Sequence, residues 1–324
     1  MTPDRSPRHL RGRPALLGVA AGLICAAASI PALLPRPGID AADIIVQSTP
    51  SSSSGGAALA RSVSPTPAPA SQSASGPADL TDPTLDPDPV LVGSWTVAYV
   101  VGPENGDGVN VEIPLRRLDG LVLEPGATFE FWTAVGEVSR RTGYRRGGVI
   151  VGDHVDPDGA LAGGICTVST AIFNAAARAG LRILSRTSHG GYLAKYPLGL
   201  DAAVSKSDRT TETMAFRNDT SERIVIRTVS TPGIARIDLY GAVALGRRVT
   251  FTTPAISHRR HAGDRHVRSA SLRRGEHRRV EAASDGMTVV VTRTVLDPAG
   301  RSIHRDRWVS AYRPLTGRVL DGTG

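Results

Sequence analysis

The stretch that most constrains the fold is residues 35–89, because it cannot bury a core. It consists largely of serine, proline, alanine, threonine and aspartate, as in SSSSGGAALARSVSPTPAPASQSASGP. Such a composition is typical of disordered linkers, since too few apolar side chains are present to offset the entropy lost on ordering. We therefore expect the folded part of the chain to begin near Val90 and to continue to residue 324.

The segment before this linker predicts export. Residues 1–14 carry four arginines and one acid, and residues 15–34 carry no charge. An apolar run of about 20 residues can cross a bilayer as a helix, and positive charge on its N-terminal side favours retention of that end in the cytoplasm. We expect residues 15–34 to be a transmembrane anchor, with a cleaved signal peptide as the alternative. The following segments are then extracytoplasmic in a single-pass cell-membrane protein, or secreted after cleavage.

The ordered part divides by pattern into residues 90–241 and 242–324. We predict an α+β fold with mostly short antiparallel strands packed around one main helix that starts at Cys166. A small all-β C-terminal domain is expected to follow. The predicted strands are residues 94–101, 121–123, 128–132, 148–151, 182–185, 224–229 and 235–240, with a short helix at 116–121 and a hairpin of 287–296 with 302–312.

The strongest helix pattern covers residues 166–179. Two glycines precede it, Gly180 follows it as a C-terminal cap, and Arg178 lies in its last turn. The pattern places Cys166 at the helix N-terminus. The other cysteine, Cys25, falls in the predicted anchor, so the sequence predicts an exported part with one unpaired thiol and no internal disulfide.

Cys166 has two interpretations. A thiolate at a helix N-terminus is stabilised by unpaired backbone N–H groups, and a nucleophilic cysteine needs a base and an orienting group, which His189 and Asp201 could supply. Alternatively, Cys166 is a small buried residue and His189 a hydrogen-bonded structural histidine. We predict no cofactor and no metal site, and interpret the acids around His154 as turn formers.

Positive charge is concentrated in the C-terminal segment. The net charge is +8, and all but two of the 38 basic residues are arginines. Ten of these arginines, with four histidines between them, lie in residues 247–279. This density fits either a solvated β surface or a patch for peptidoglycan or another anionic polymer of the cell envelope. We do not interpret the arginine excess as a nucleic-acid signal and predict no nucleic-acid partner.

Five blocks in order resemble the VanW-like family over residues 94–241. They are LEPGATFEFWTAVGEVSRRTGY, AGGICTVSTAIFNAAARAGL, SH followed by KYPLGLDAAV, MAFRNDTSERIVIR, and IDLYG. The resemblance implies a bacterial cell-envelope protein, in some gene clusters associated with vancomycin-type resistance, and implies no particular reaction. It places Cys166, His189, Tyr196, Pro197, Gly199 and Asp201 in family signature blocks. Thr167 stands where the family usually has glutamine, and Ala162 where it usually has glycine.

Two functions from different classes follow. One is a thiol-dependent hydrolase or acyltransferase acting on peptidoglycan or its precursors, with Cys166 as nucleophile, His189 as base and Asp201 as orienting group. The other is a non-catalytic cell-wall-binding or accessory protein of glycopeptide resistance or envelope maintenance. The candidate binding residues in both cases are Thr167, Tyr192, Tyr196, Trp132 and Tyr144.

Overall fold

The computed structural model describes residues 23–24, 88–101, 106–207 and 210–324. Most of residues 1–89 therefore lie outside the described residues: the predicted cytoplasmic segment 1–14, the anchor 15–34 and the linker 35–89. The four exceptions are Leu23, Ile24, Asp88 and Pro89. Two of these, Leu23–Ile24, form strand β1, which pairs with Ser205–Lys206. No helix within the described ranges is both long enough and apolar enough to cross a membrane.

Three helices are present in the described residues: α1 (Asp107–Leu118), α2 (Phe131–Val135) and α3 (Cys166–Arg178). Helix α3 begins at Cys166 as the pattern predicts, and Gly180 after it has a φ of +76°. However, α1 has 12 residues against 13 in α3, so α3 is not the single main helix.

The strands up to Gly241 form small antiparallel sheets. Their orders are β2-β12-β11-β3, β4-β10-β7, β1-β8-β9 and β5-β6. The strands are β2 (Val90–Ala98), β3 (Val122–Leu123), β4 (Thr128–Glu130), β5 (Arg146–Val151), β6 (His154–Leu161), β7 (Arg182–Ser185), β8 (Ser205–Lys206), β9 (Thr211–Glu212), β10 (Ala215–Arg217), β11 (Ile224–Thr231) and β12 (Ile234–Gly241).

The chain after Gly241 forms strands only. They are β13 (Arg248–Phe251), β14 (Ala255–Arg260), β15 (Asp264–Ser269), β16 (His277–Glu281), β17 (Gly286–Leu296), β18 (Ser302–Tyr312) and β19 (Gly317–Gly322). Strands β17 and β18 form the predicted hairpin, whose turn closes with Gly300 N–H donating to Asp297 O at 2.9 Å. Strand β19 pairs with β15 in parallel and with β16 antiparallel.

The β17–β18 hairpin packs directly on α3. The ring of Trp308 meets that of Phe173 edge to face, with centroids 5.1 Å apart. Arg293 is fully buried and donates to the carbonyls of Ala177 and Leu181, each at 2.9 Å, at the C-terminal end of α3. The predicted segments 90–241 and 242–324 therefore contribute to one hydrophobic core.

Two local predictions are wrong for identifiable reasons. Residues 107–118 form α1, whereas the sequence predicts a short helix only at 116–121, because Pro114 and three β-branched residues weaken the local helix pattern. The predicted strand 128–132 ends at Glu130, because the Glu130 carboxylate accepts hydrogen bonds from the N–H groups of Trp132 at 3.2 Å and Thr133 at 2.7 Å. This N-terminal cap starts α2.

Candidate functional site

Helix α3 holds the extended segment 200–204 by polar side chains spaced one turn apart. The helix residues Cys166, Thr170 and Asn174 are four positions apart, and together they contact the backbone of every second residue of that segment. Asn174 donates to Leu200 O at 2.8 Å, and Thr170 Oγ1 accepts from Ala202 N–H at 3.0 Å. Cys166 Sγ accepts from Val204 N–H at 3.3 Å. Spacings of four on a helix share one face, and alternate residues of an extended chain share one side. This fit places Asp201 beside the loop that carries His189.

Cys166 is fully buried and disulfide-bonded. No cysteine is free among the described residues, which differs from the expectation of an unpaired exported thiol. Cys25, the other cysteine of the chain, lies outside the described residues. A disulfide sulfur carries no hydrogen, so Sγ acts toward Val204 only as an acceptor.

The glycines before Cys166 serve backbone packing. A Cβ on Gly163 would lie 2.3 Å from the carbonyl oxygen of Gly147 in β5, so only glycine allows this approach. Gly164 has a φ of +95°, and Ala162 has a φ of +60°, a left-handed conformation that favours glycine. Ala162 is the position at which the family pattern has glycine.

His189 and Asp201 form the pair that the sequence predicts. Asp201 Oδ2 accepts a hydrogen bond from His189 Nδ1 at 2.6 Å and from the His189 backbone N–H at 2.6 Å. A carboxylate only accepts, so Nδ1 is the donor, and in the neutral imidazole Nε2 then presents a lone pair. His189 is 2% exposed, and Nε2 is buried without a hydrogen-bond partner in the described structure.

Asp201 also connects the loop that carries His189 to Arg186 and to Tyr312 in β18. Arg186 Nη2 donates to Asp201 Oδ1 at 2.7 Å, and the Tyr312 hydroxyl donates to the same oxygen at 2.5 Å. Burial by itself would raise the pKa of Asp201. The hydrogen bond and charge of His189 and the charge of Arg186 outweigh burial and lower this pKa to about 2. Asp201 is therefore an ionised, fully hydrogen-bonded carboxylate at neutral pH.

Strand β18 completes the site from outside the predicted family region. Tyr312 accepts a hydrogen bond from Gly199 N–H at 3.2 Å in addition to its bond to Asp201. Burial, followed by the negative charge of Asp201, raises the pKa of Tyr312. Ser310 Oγ accepts from Arg186 Nη1 at 2.9 Å. The orientation of His189 thus depends on residues of the C-terminal hairpin.

Tyr196 lies between His189 and Thr167. Its ring stacks on the His189 imidazole with centroids 5.2 Å apart, and its hydroxyl lies 3.4 Å from Thr167 Oγ1. Lys195 Nζ donates to Thr167 Oγ1 at 3.0 Å. The half-buried Tyr192 lies against Tyr312 and Tyr196 O. Three of the predicted binding residues, Thr167, Tyr192 and Tyr196, are therefore close to the His189–Asp201 pair.

The other two predicted binding residues make their contacts elsewhere. Trp132 Nε1 donates to Glu212 O at 2.9 Å, and its ring packs on Phe131. The Tyr144 ring faces Arg117 at 5.7 Å from its centroid, and burial raises the pKa of Tyr144 to about 12. Trp132 therefore contacts β9 and another residue of α2, and Tyr144 contacts α1.

Sequence reasoning missed four residues of this arrangement: Arg186, Lys195, Ser310 and Tyr312. Lys195 carries a signal, because it is one of two lysines in the chain and lies inside a signature block. Arg186 lies three residues before His189 and could have been proposed as a partner of Asp201. Ser310 and Tyr312 carry no local signal, because they follow Asp201 by more than a hundred residues.

Comparison with known proteins identifies related sequences. Residues 107–240 match the family model described as VanW like protein. The chain is 32% identical over 153 residues to the uncharacterized protein YoaR of Bacillus subtilis, covering 47% of this chain and 49% of YoaR. It is 27% identical over 104 residues to the vancomycin B-type resistance protein VanW of Enterococcus faecalis, covering 30% of this chain and 36% of VanW. The chain thus spans half or less of the length of both relatives.

Proposed function

Since residues 107–240 match the VanW-like family model, we propose that this chain is a cell-envelope protein that binds a peptidoglycan fragment beside His189. The observation that carries this proposal is the buried Nε2 of His189, whose orientation is fixed by Asp201 and which has no partner in the described structure. Buried polar atoms are nearly always hydrogen-bonded, so such an atom favours a ligand that donates to it.

Peptidoglycan has the groups that this site would recognise. Its sugars and stem peptides supply O–H and N–H donors for His189 Nε2, and its free carboxylates would pair with the ammonium group of Lys195. Lys195 and Tyr192 are only partly buried, so they form the accessible side of the site. Tyr196 offers an apolar ring between them and His189.

Calorimetric titration of the purified chain with a soluble muropeptide tests this function. We expect His189→Gln and Lys195→Gln each to weaken binding at least tenfold, which corresponds to about 1.4 kcal/mol. The matched control is His304→Gln, because His304 is also mostly buried and pairs with an aspartate, Asp219, at 2.6 Å. Unchanged affinity in both site variants, each shown to be folded, would reject the proposal.

A thiol-dependent hydrolase or acyltransferase is the second candidate. It is favoured by the orientation of His189, because an aspartate on Nδ1 and a lone pair on Nε2 are what a general base next to a nucleophile requires. Cys166 at the N-terminus of α3 would be that nucleophile once reduced to the thiol. In this role Thr167, which stands in place of glutamine, would be a weaker oxyanion donor.

Thiol chemistry is tested by labelling the reduced chain with iodoacetamide at pH 7 and by assaying muropeptide cleavage. If the chain is such an enzyme, Cys166 should react with iodoacetamide faster than free cysteine does. Both Cys166→Ser and Cys166→Ala should then abolish cleavage. If both variants retain full cellular function, catalysis by Cys166 is ruled out. The binding proposal is unaffected by that outcome.

Export through residues 15–34 is part of the same proposal. The basic residues 1–14 and the uncharged run after them support an anchor, and the linker 35–89 would hold the later residues away from the membrane. Fractionation of tagged cells, with mass determination of the N-terminus, distinguishes an anchor from a cleaved signal peptide. A full-length chain recovered in the cytosolic fraction contradicts export.

An accessory role in glycopeptide resistance is proposed only on the name of one relative, the vancomycin B-type resistance protein VanW. Deletion of the coding sequence should then lower the vancomycin concentration that the cell tolerates, and the His189→Gln variant should fail to restore it. Equal tolerance of the deletion strain and its parent would remove this role while leaving wall binding open.

A further inference from the structure

The three-stranded sheet β15-β19-β16 carries a cluster of metal-binding side chain types. His266 lies on β15, His277 on β16 and Asp321 on β19, so each strand contributes one. His277 Nδ1 lies 2.7 Å from Asp321 Oδ1, and His266 Nδ1 lies 3.0 Å from Asp321 Oδ2. The sheet register places His277 directly opposite Asp321.

We propose that these three side chains bind a divalent transition-metal ion, with Zn²⁺ as the ion that fits the donor set. One ligand atom from each residue can be chosen so that all three lie within 4.8 Å of one another. Ligand atoms around a tetrahedral zinc at about 2.0–2.1 Å lie roughly 3.3 Å apart, so small side-chain rotations suffice. Two imidazoles and a carboxylate leave one position open for water.

The burial of this sheet gives an independent reason for a metal. Every residue of β15 is exposed except Val267 and Ser269. In β16, the first three residues are exposed. Apolar burial therefore contributes little to holding β15 and β16 against β19. A metal ion bound by one residue from each strand would join all three, as metals do in small domains with little core.

The surrounding charges are compatible with a cation. Arg279 is engaged by Asp264 at 2.5 Å, and Arg318 by Glu281 at 2.8 Å. Arg268 lies opposite Asp321 in the parallel register, and its long exposed side chain can turn into solvent. This proposal departs from the sequence-based expectation of no metal site, because the three residues lie on separate strands and no local spacing brings them together.

Titration of the metal-stripped, full-length chain with ZnCl₂ at pH 7.5 tests the site. We expect one equivalent to bind and to raise the unfolding temperature. His277→Gln and Asp321→Asn should each lower the affinity at least tenfold and remove most of the temperature shift. The control is His261→Gln, because His261 is exposed, pairs with Asp285 at 3.1 Å and lies outside the cluster.

Two results overturn the proposal. One is the absence of stoichiometric binding at millimolar ZnCl₂, and the other is wild-type affinity in both cluster variants. His277 is exposed, so its replacement should leave the fold intact, which circular dichroism checks. The muropeptide test at His189 concerns different residues, so failure of either proposal leaves the other standing.

Discussion

Asp201 Oδ2 lies 2.6 Å from both the backbone nitrogen and the ring Nδ1 of His189. One carboxylate oxygen thus fixes the position of the His189 main chain and the tautomer of its side chain together. Asp201 therefore accepts from a backbone amide and orients the imidazole at the same time.

Replacement of Asp201 by asparagine should destabilise the fold strongly. The neutral amide would leave the buried Arg186 guanidinium without its anionic partner, and breaking a buried ion pair in this way costs roughly 3–5 kcal/mol. Urea unfolding measures this loss. The control is Asp153→Asn, because the Asp153 side chain is 75% exposed, and its free energy of unfolding should change by less than about 0.5 kcal/mol.

The contribution of Asp201 should depend on pH in one direction. Its pKa is lowered from 3.8 to about 2 in the folded state, so it stabilises the fold fully above pH 4. That contribution, about 2 kcal/mol from the shift, is lost as the pH falls through 2. The difference in unfolding free energy between the wild-type chain and Asp201→Asn should therefore shrink between pH 5 and pH 2. A difference that stays constant over this range contradicts the ionised state.

Removal of the Tyr312 hydroxyl should weaken the tie between β18 and the site. Tyr312→Phe loses the hydrogen bonds to Asp201 and from Gly199 N–H, at a cost of about 1–2 kcal/mol. Because the pKa of Tyr312 is raised in the folded state, this stabilisation is present below pH 10 and is lost as the pH rises beyond it. Tyr240→Phe, in the half-buried part of β12, should have little effect at neutral pH.

Arg293 should be essential for docking of the β17–β18 hairpin. Arg293→Ala removes the buried contacts to Ala177 O and Leu181 O and leaves Asp306 without its partner, which costs roughly 3–5 kcal/mol. The exposed Arg307 on the same hairpin provides the matched alanine control. Limited proteolysis should cut the Arg293→Ala chain faster within residues 242–324, and equal rates for the two variants would contradict the docking role.

We expect the arginines of residues 255–279 to bind an anionic wall polymer, which is one of the two alternatives that the sequence leaves open. All eight of them are exposed: Arg259, Arg260, Arg265, Arg268, Arg273, Arg274, Arg278 and Arg279. Binding to a polyglycerol phosphate chain should weaken steeply between 50 and 200 mM salt, since attraction between exposed charges is screened over about 8–10 Å. The double variant Arg273→Glu, Arg274→Glu should bind at least tenfold more weakly.

The control for that prediction reverses charge elsewhere on the surface. Arg116 and Arg141 have side chains that are 67% and 82% exposed and belong to the VanW-like region. The double variant Arg116→Glu, Arg141→Glu changes the net charge equally. If it weakens polymer binding as much as the first variant, attraction depends on net charge alone and no patch exists.

Local patterns determined much of the fold. The apolar spacing and Gly180 defined α3 to within one residue at its C-terminal end, and alternation with the turn at 297–300 defined the β17–β18 hairpin. The signature blocks indicated the resemblance to the VanW-like family. His189 and Asp201 were predicted as a pair because a nucleophilic cysteine needs a base and an orienting group. These features are visible in a sequence because each depends on residues that are close along the chain.

Helix α1 is an element that the local sequence pattern does not predict. It holds Pro114 and several β-branched residues, which have low helix propensity. Its stability comes from tertiary contacts: Val111, Leu115 and Leu118 are buried, and Asn110 Nδ2 donates to Gly163 O at 2.8 Å.

The sequence by itself therefore predicted the resemblance to the VanW-like family, the start of α3 at Cys166, the hairpin and the His189–Asp201 pair. Only the tertiary structure decided that Cys166 Sγ faces the Val204 backbone, that Tyr312 and Ser310 complete the site, and that three separate strands bring His266, His277 and Asp321 together. The physical reason is that these contacts join residues 38 to 124 positions apart. Their proximity arises from the packing of strands and helices, which no local pattern records.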